Sequence, residues 1–304
     1  MNRLLTKKQI IYTKELIYKY ILAILSLTSF ICLIGIIVIL FKNGIPTFKF
    51  IGFFDLFLGK FWYPTYNPPD FGILPLILGS IWVTFGALLV CIPLGVGGAI
   101  YIYEIAPIWQ KKILKPTIEL LGSIPSVVYG LFGMIIIAPL LQNIFKNIPT
   151  GLCALSASLI LGIMAIPTVC SISEDAFSSV PKNMIEASFA LGANRWQTLI
   201  KIILPAAGSG ISTAIILGIN RAIGETMTVL MVAGGATIIP TSFLQPVRTM
   251  TATIAAEMGE AVYGSEHYHV LFTIGLVLFA FTFIFNIIAE IITKKYKIKL
   301  GQGI

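Results

Sequence analysis

Between Lys19 and Lys42 no residue carries a charge. At about 1.5 Å of rise per residue, some 20 apolar residues cross a hydrocarbon layer about 30 Å thick, and this run is long enough. The pattern recurs: residues 71–103, 120–145, 151–173 and 267–289 are also free of charge. Residues 206–239 are as apolar but contain Arg221 and Glu225. In lipid every backbone N–H and C=O must be satisfied within the chain, which leaves helices as the fold open to long apolar runs of this kind. The sequence therefore predicts an all-α integral membrane protein with six transmembrane helices. Composition agrees, with 57% apolar and 11% charged residues, where soluble domains carry about 25% charged.

Orientation follows from Lys and Arg. Arg3, Lys7, Lys8, Lys14 and Lys19 precede the first span; Lys111, Lys112 and Lys115 follow the second; Lys182, Arg195 and Lys201 follow the fourth; Lys294, Lys295, Lys297 and Lys299 end the chain. The opposite side holds only Lys42, Lys49, Lys60, Lys146 and Arg248. The positive-inside rule then puts both termini in the cytoplasm. The first run is too long for a signal-peptide core of about 7–15 residues and has no small-x-small site after it, so it reads as an uncleaved helix. Pro75, Pro93 and nearby glycines predict a kink or a short pre-helix in the second run. Trp62, Tyr63 and Tyr66, in the proline-rich stretch before it, suit a membrane–water interface. The chain divides into residues 1–70 (tail, first helix, external loop), 71–293 (a core of five helices with a cytoplasmic loop at 174–205) and 294–304 (a basic tail). The net charge of +8 lies at the ends of apolar runs rather than in a basic patch with aromatics, which argues against nucleic acid.

The loop at 174–205 predicts two short helices. Pro181 starts one, Gly192 breaks it and Pro205 bounds the second, giving 182–191 and 194–203. Met184, Ile185, Ser188 and Phe189 share one face, as do Trp196, Leu199, Ile200 and Ile203. By pattern alone such a pair either lies on the bilayer surface or enters a partner's groove. The order Glu186-Ala187-Ser188, three residues, Gly192, nine residues, Ile202-x-Leu204-Pro205 resembles the EAA loop of ABC importer permeases, EAA-x3-G-x9-I-x-LP, with Ser188 in place of the second alanine. The resemblance implies the type I ABC importer permease (MetI-like) bundle. It also implies that Glu186, Ala187, Gly192, Ile202, Leu204 and Pro205 couple the chain to a cytoplasmic ATPase. The Ser188 substitution is small for small, so close approach of a partner helix should survive it.

Arg221 and Glu225 are expensive in lipid, at roughly 2.5–3.5 kcal/mol each by insertion scales, so they must face protein or a water-filled path. Spaced four apart, they share a face of a continuous helix and can meet, either as a packing pair or as a site. Arginine's fork matches a phosphate-like oxyanion, which would make Arg221 a path residue that Glu225 orients and keeps weak. Residues 220–235 (NRAIGETMTVLMVAGG) are similar to the marker segment of the PstC family of phosphate importer permeases. FGILPLILGSIWVT (71–84) and KPTIELLGSIPSVVYGLFG (115–133) resemble two further segments of that family, so the likeness extends from about residue 71 to 290. The resemblance implies phosphate import into the cytoplasm across the bacterial plasma (inner) membrane. The implied partners are a second, PstA-like permease, two PstB-like ATP-binding subunits and an external PstS-like phosphate-binding protein. ATP would be used by the partner, with no cofactor on this chain. A permease for sulfate, molybdate or tungstate, the paired PstA-type subunit, a proton-coupled secondary carrier and a non-transporting sensor or scaffold are the alternatives.

No nucleotide-binding, metalloprotease or nucleophile motif is present, so no catalytic residue is assigned. Cys32, Cys91, Cys153 and Cys170 lie apart in apolar runs and read as packing thiols. His267 and His269 lack a third ligand nearby, and no metal site is expected. Glu257, Glu260 and Glu266 form either a solvated face or a contact for a binding protein. The stretch Gly122-Ser123-Ile124-Pro125-Ser126 is either a helix start or a point where helices approach closely.

Overall fold

A computed structural model describes residues 2–146 and 148–301. Helix α1 (Asn2–Gly44) leads through a tight turn at Ile45–Lys49 into a small cap. The cap comprises α2 (Phe53–Leu58) and an antiparallel hairpin of β1 (Trp62–Tyr63) and β2 (Asp70–Phe71), with Trp62 opposite Phe71. Next come α3 (Leu74–Ile100), prolonged by a π-helical turn at Tyr101–Ile105, and α4 (Ile108–Gly122). Helices α5 (Ser126–Phe132) and α6 (Ala138–Ile144) are joined by a second π-helical turn, and α7 (Ala154–Ser178) follows. The loop between the later spans holds α8 (Lys182–Ala190), α9 (Arg195–Thr198), a π-helical turn at Leu199–Ile203 and α10 (Leu204–Ala206). The chain continues with α11 (Gly208–Gly224), α12 (Met227–Val232), α13 (Met250–Glu257) and α14 (Glu266–Gly301).

Among the described residues, five stretches are long and apolar enough to cross a membrane: Tyr18–Lys49, Leu74–Ile105, Ser126–Ile144, Ala154–Ser178 and Glu266–Ile288. The span expected over 206–239 differs. Its helix is half of a pair, Arg195–Ala206 and Gly208–Gly224, bent by 68° between the two, and it stops at Gly224. Counted as one span, the pair makes six. The third span starts at Ser126 rather than at 120, because Pro125 holds an extended ψ of 139° and ends the preceding turn. Pro75 sits in the first turn of α3 without a separate pre-helix, where its missing N–H is harmless.

Small residues let the central helices approach. A Cβ at Gly86 would lie 2.4 Å from the Ser158 hydroxyl, and one at Gly95 would lie 2.8 Å from Val169, so α3 and α7 pack backbone to side chain. Buried clusters follow this pair from end to end. At the cap, Leu56, Trp62, Phe71 and Leu76 pack on Met250, Leu271 and Ile274. In the middle, Val83, Ala87, Leu161 and Met164 meet Val229 and Val232. At the far end, Ile102, Cys170 and Phe177 meet Leu199 and Ile203 of the loop. Helix α1 lies outside, its apolar side chains from Tyr18 to Ile39 almost all exposed, as a lipid-facing span requires. It touches α14, and in the turn that follows it Thr47 shares a 2.7 Å hydrogen bond with Thr273 of α14.

Cys91, Cys153 and Cys170 are buried, as packing thiols would be, whereas Cys32 is exposed on α1. Trp62 departs from its expected interfacial place. It is 2% exposed, and its indole N–H donates to Glu257 at 3.1 Å. Tyr63 and Tyr66 remain exposed and stack at 4.8 Å between ring centroids.

Candidate functional site

Helix α11 ends at Gly224, and Glu225 is extended, with φ −72° and ψ 131°. Glycine is a poor helix former, and the Glu225 side chain takes up an alternative: its carboxylate accepts the Thr228 N–H at 3.1 Å, at the start of α12. Three further bonds fix the break. The Thr228 hydroxyl donates to the Ser126 carbonyl at 2.9 Å, the Thr251 hydroxyl to the Glu225 carbonyl at 2.9 Å, and the Thr226 hydroxyl to the Gly224 carbonyl at 3.3 Å. The starts of α5, α12 and α13 thus converge on one polar point inside an apolar bundle.

Arg221 lies in the last turn of α11 and is half-buried. One of its terminal N–H groups donates to the Thr168 hydroxyl at 2.9 Å, the other to the Gly122 carbonyl at 3.2 Å. The described ion pairs join Lys115 to Glu174 and Asp175, and Glu257 to Arg248 and His267; neither Arg221 nor Glu225 is in any of them. The expected meeting of Arg221 and Glu225 is therefore overturned. Its premise was an unbroken helix between them, and the break at Gly224 turns the carboxylate toward α12. Neutral oxygens orient the guanidinium instead. Thr168 and Gly122 were not foreseen in this role, although each carries a local signal. Thr168 is a polar residue directly after Pro167 in an apolar helix, and Gly122 opens the Gly-x-x-Pro break that leaves a carbonyl exposed. Both readings of 122–126 are observed: α5 starts at Ser126 behind Pro125, and Gly122 lies close to Pro167 and Arg221.

The loop of α8 to α10 adopts the predicted two-helix elbow. Gly192 has φ +81°, with its N–H on the Phe189 carbonyl at 2.9 Å and the Ala193 N–H on the Ser188 carbonyl at 3.2 Å. That pair of bonds is a Schellman C-cap, which glycine adopts without steric cost. Asn194 then caps α9, exchanging bonds with Gln197 at 2.8 and 3.0 Å. The faces divide by burial. Leu199 and Ile203 turn inward, while Met184, Glu186, Ala187, Phe189, Leu191, Trp196 and Ile200 are exposed. Ser188 is buried, and its hydroxyl pairs with Thr198 at 2.9 Å, so the position expected to meet a partner braces the elbow instead. Met184, Ala187, Leu191, Gly192, Gln197 and Ile202 border a depression of ≈ 460 Å³ on the outer side. Ile202 and Leu204 are half-buried and Pro205 is exposed, just before the 68° bend into α11. Arg221 lies 13 residues beyond Gly208, or about 20 Å along that helix.

Glu257 at the cap end is no solvated acid. It receives Arg248 at 2.5 Å, the Trp62 indole and His267 at 2.9 Å. His269 bonds the Asn43 carbonyl at 2.7 Å instead of joining His267 at a metal. Among the described residues, no group of three or more potential metal ligands occurs.

Residues 92–298 match the family described as binding-protein-dependent transport system inner membrane component. The probable ABC transporter permease protein YqgH of Bacillus subtilis (strain 168) is 39% identical over 256 residues, covering 84% of this chain and 81% of the relative. The phosphate transport system permease protein PstC of Pasteurella multocida (strain Pm70) is 30% identical over 308 residues, covering 95% of this chain and 94% of the relative. Among solved structures, a bacterial alginate ABC transporter in complex with an alginate pentasaccharide-bound periplasmic protein has a chain of similar fold. Its TM-score is 0.60 at 14% identity, with 90% of this chain and 94% of that chain covered.

Proposed function

Because the chain belongs to the family of binding-protein-dependent transport system inner membrane components, the permeases of ABC importers, we propose that it carries inorganic phosphate into the cytoplasm. As a member it is a multi-pass membrane transport subunit and not itself an enzyme. Phosphate as the cargo draws support from relatives at 30–32% identity named as phosphate transport system permeases.

The observation that carries the reading is the state of Arg221. Its charge is held by two neutral oxygens and faces no carboxylate at ion-pair distance, so it remains available to an anion. Of the five N–H donors on a guanidinium, two are engaged within the chain. Two charge-assisted bonds to an oxyanion, at about 2 kcal/mol each, correspond to a Kd near 1 mM. That is strong enough to attract phosphate into an apolar bundle and weak enough to release it, which a transport path needs. Glu225 shapes the break by capping α12 and does not neutralise the arginine. A proton relay in a secondary carrier would need Arg221 and Glu225 in contact, and their separation disfavours it.

Residues Glu186, Ala187, Gly192, Ile202, Leu204 and Pro205 form the handle for a separate ATPase, with the depression beside Gly192 as the docking place. Closure of the ATP-binding subunits would move the handle, and the bundle would open alternately to either side. The working assembly holds a second, PstA-like permease, two PstB-like ATP-binding subunits and an external PstS-like binding protein. Both termini then lie in the cytoplasm, as the lysine and arginine distribution favours. Arg221→Ala is the test: phosphate uptake is lost while the ATPase still co-purifies. Unchanged uptake overturns the role of Arg221 in the path.

A further inference from the structure

Helix α4 is gripped at two points. Near its middle, the Lys115 ammonium pairs with Glu174 and lies 2.8 Å from Asp175, at the end of α7. Glu174 is largely buried and also accepts the Ser178 hydroxyl at 2.9 Å, so this acid is fixed. The chain passes from Ser178 into α8, which makes the acids the root of the docking loop. Leu114 and Ile118 of α4 pack on the same cluster as Ile185, Leu199 and Ile203 of that loop. At its other end, α4 presents the Gly122 carbonyl to Arg221 at 3.2 Å. Seven residues separate the two grips, about 10 Å of helix.

From this we infer that Lys115 is a positioning residue and α4 a strut, transmitting movement of the docking loop to the hydrogen bonding of Arg221. The inference rests on the transport reading above. A shift of the α7 end carries Lys115 with it, and a helix is stiff along its axis, so the Gly122 carbonyl moves relative to Arg221. Moving it away releases an N–H for an anion; moving it back takes that donor up again. A direct route through α10 and α11 also exists, but it bends by 68° at Ala207, whereas α4 stays helical from Lys115 to Gly122; Pro116 leaves unpaired only the carbonyl of Lys112, on the far side of Lys115 from Gly122. Hydrogen bonding to Asp175 and Glu174 raises the lysine's pKa above its ordinary value, so the ammonium stays charged through the physiological range.

The test uses the complete transporter in proteoliposomes and measures phosphate carried per ATP hydrolysed. Lys115→Met removes the charge at similar volume. The strut predicts retained assembly and ATP hydrolysis, with transport per ATP lowered about fivefold or more. Lys115→Arg, and the exchange Lys115→Glu with Glu174→Lys, bring the ratio back to within about twofold of wild type. An unchanged ratio in Lys115→Met, or a parallel fall in uptake and hydrolysis, overturns the inference. If Lys115→Met does not accumulate in the membrane, Glu174→Gln removes the opposite charge at equal volume, and the same lowered ratio is required of it. Wild-type uptake that is independent of ATP refutes the transport reading; ATP-driven uptake with an intact ratio in the variants refutes the strut alone.

Discussion

Replacing Gly192 by asparagine, alanine or proline separates backbone conformation from side-chain contact at the elbow proposed to dock the ATPase. The residue holds φ +81°, and a Cβ placed there would meet nothing within 4 Å. Alanine therefore introduces no clash, and its whole effect is the strain of a left-handed backbone, about 1 kcal/mol. That corresponds to roughly a fivefold shift in the population of the correct elbow. Asparagine tolerates the left-handed region and costs only part of this. Proline fixes φ near −65° and has no N–H, so it loses both the Gly192 turn and the bond to the Phe189 carbonyl, at about 3 kcal/mol or more. The assay is recovery of the ATP-binding subunits with the chain from detergent-solubilised membranes, read beside ATP-driven phosphate uptake. Both should fall in the order glycine, asparagine, alanine, proline, with alanine several-fold below wild type and proline near zero. Full recovery in the proline variant would refute the elbow's role. An alanine variant as defective as proline would show that contact with the partner, not conformation, governs the position.

Arg221→Lys keeps the charge but loses the fork that spans Thr168 and Gly122, and uptake should fall at least tenfold, about 1.4 kcal/mol, in the same proteoliposome assay. Glu257→Ala strips Arg248, His267 and Trp62 of their shared partner in a mostly buried setting. A loss of about 3 kcal/mol is expected, seen as a lowered Tm of the purified assembly in detergent. Ser188→Ala leaves the buried Thr198 hydroxyl without its partner and should lower stability by about 1 kcal/mol, while co-purification of the ATPase is retained.

Much of the bundle is legible in charge spacing, because the cost of charge in lipid leaves its mark residue by residue. The elbow of α8 and α9 is legible too: Pro181, Gly192 and Asn194 each act within a turn of their own position, and the elbow forms where they stand. The Arg221 site was half legible. Its arginine is conspicuous by charge, but its partners are not, since Thr168 and Gly122 lie 53 and 99 residues away and reach it only through packing. The four-residue spacing to Glu225 misled for a physical reason. Apolar content reports solvent and not helix continuity, and the break at Gly224 is stabilised by bonds to Ser126 and Thr251 from elsewhere in the chain. Trp62 shows the same limit: an aromatic residue near a membrane face reads as interfacial unless a distant carboxylate, here Glu257, draws its indole inward.

Anion uptake by the assembled transporter tests the central claim most directly. With this chain, a second permease, the ATP-binding subunits and the phosphate-binding protein in proteoliposomes, phosphate should accumulate only when ATP is supplied on the side of the docking loop. Sulfate and molybdate should enter far more slowly, and Arg221→Ala should abolish uptake. Accumulation without ATP, a preference for sulfate or molybdate, or full transport by the Arg221→Ala variant would contradict it.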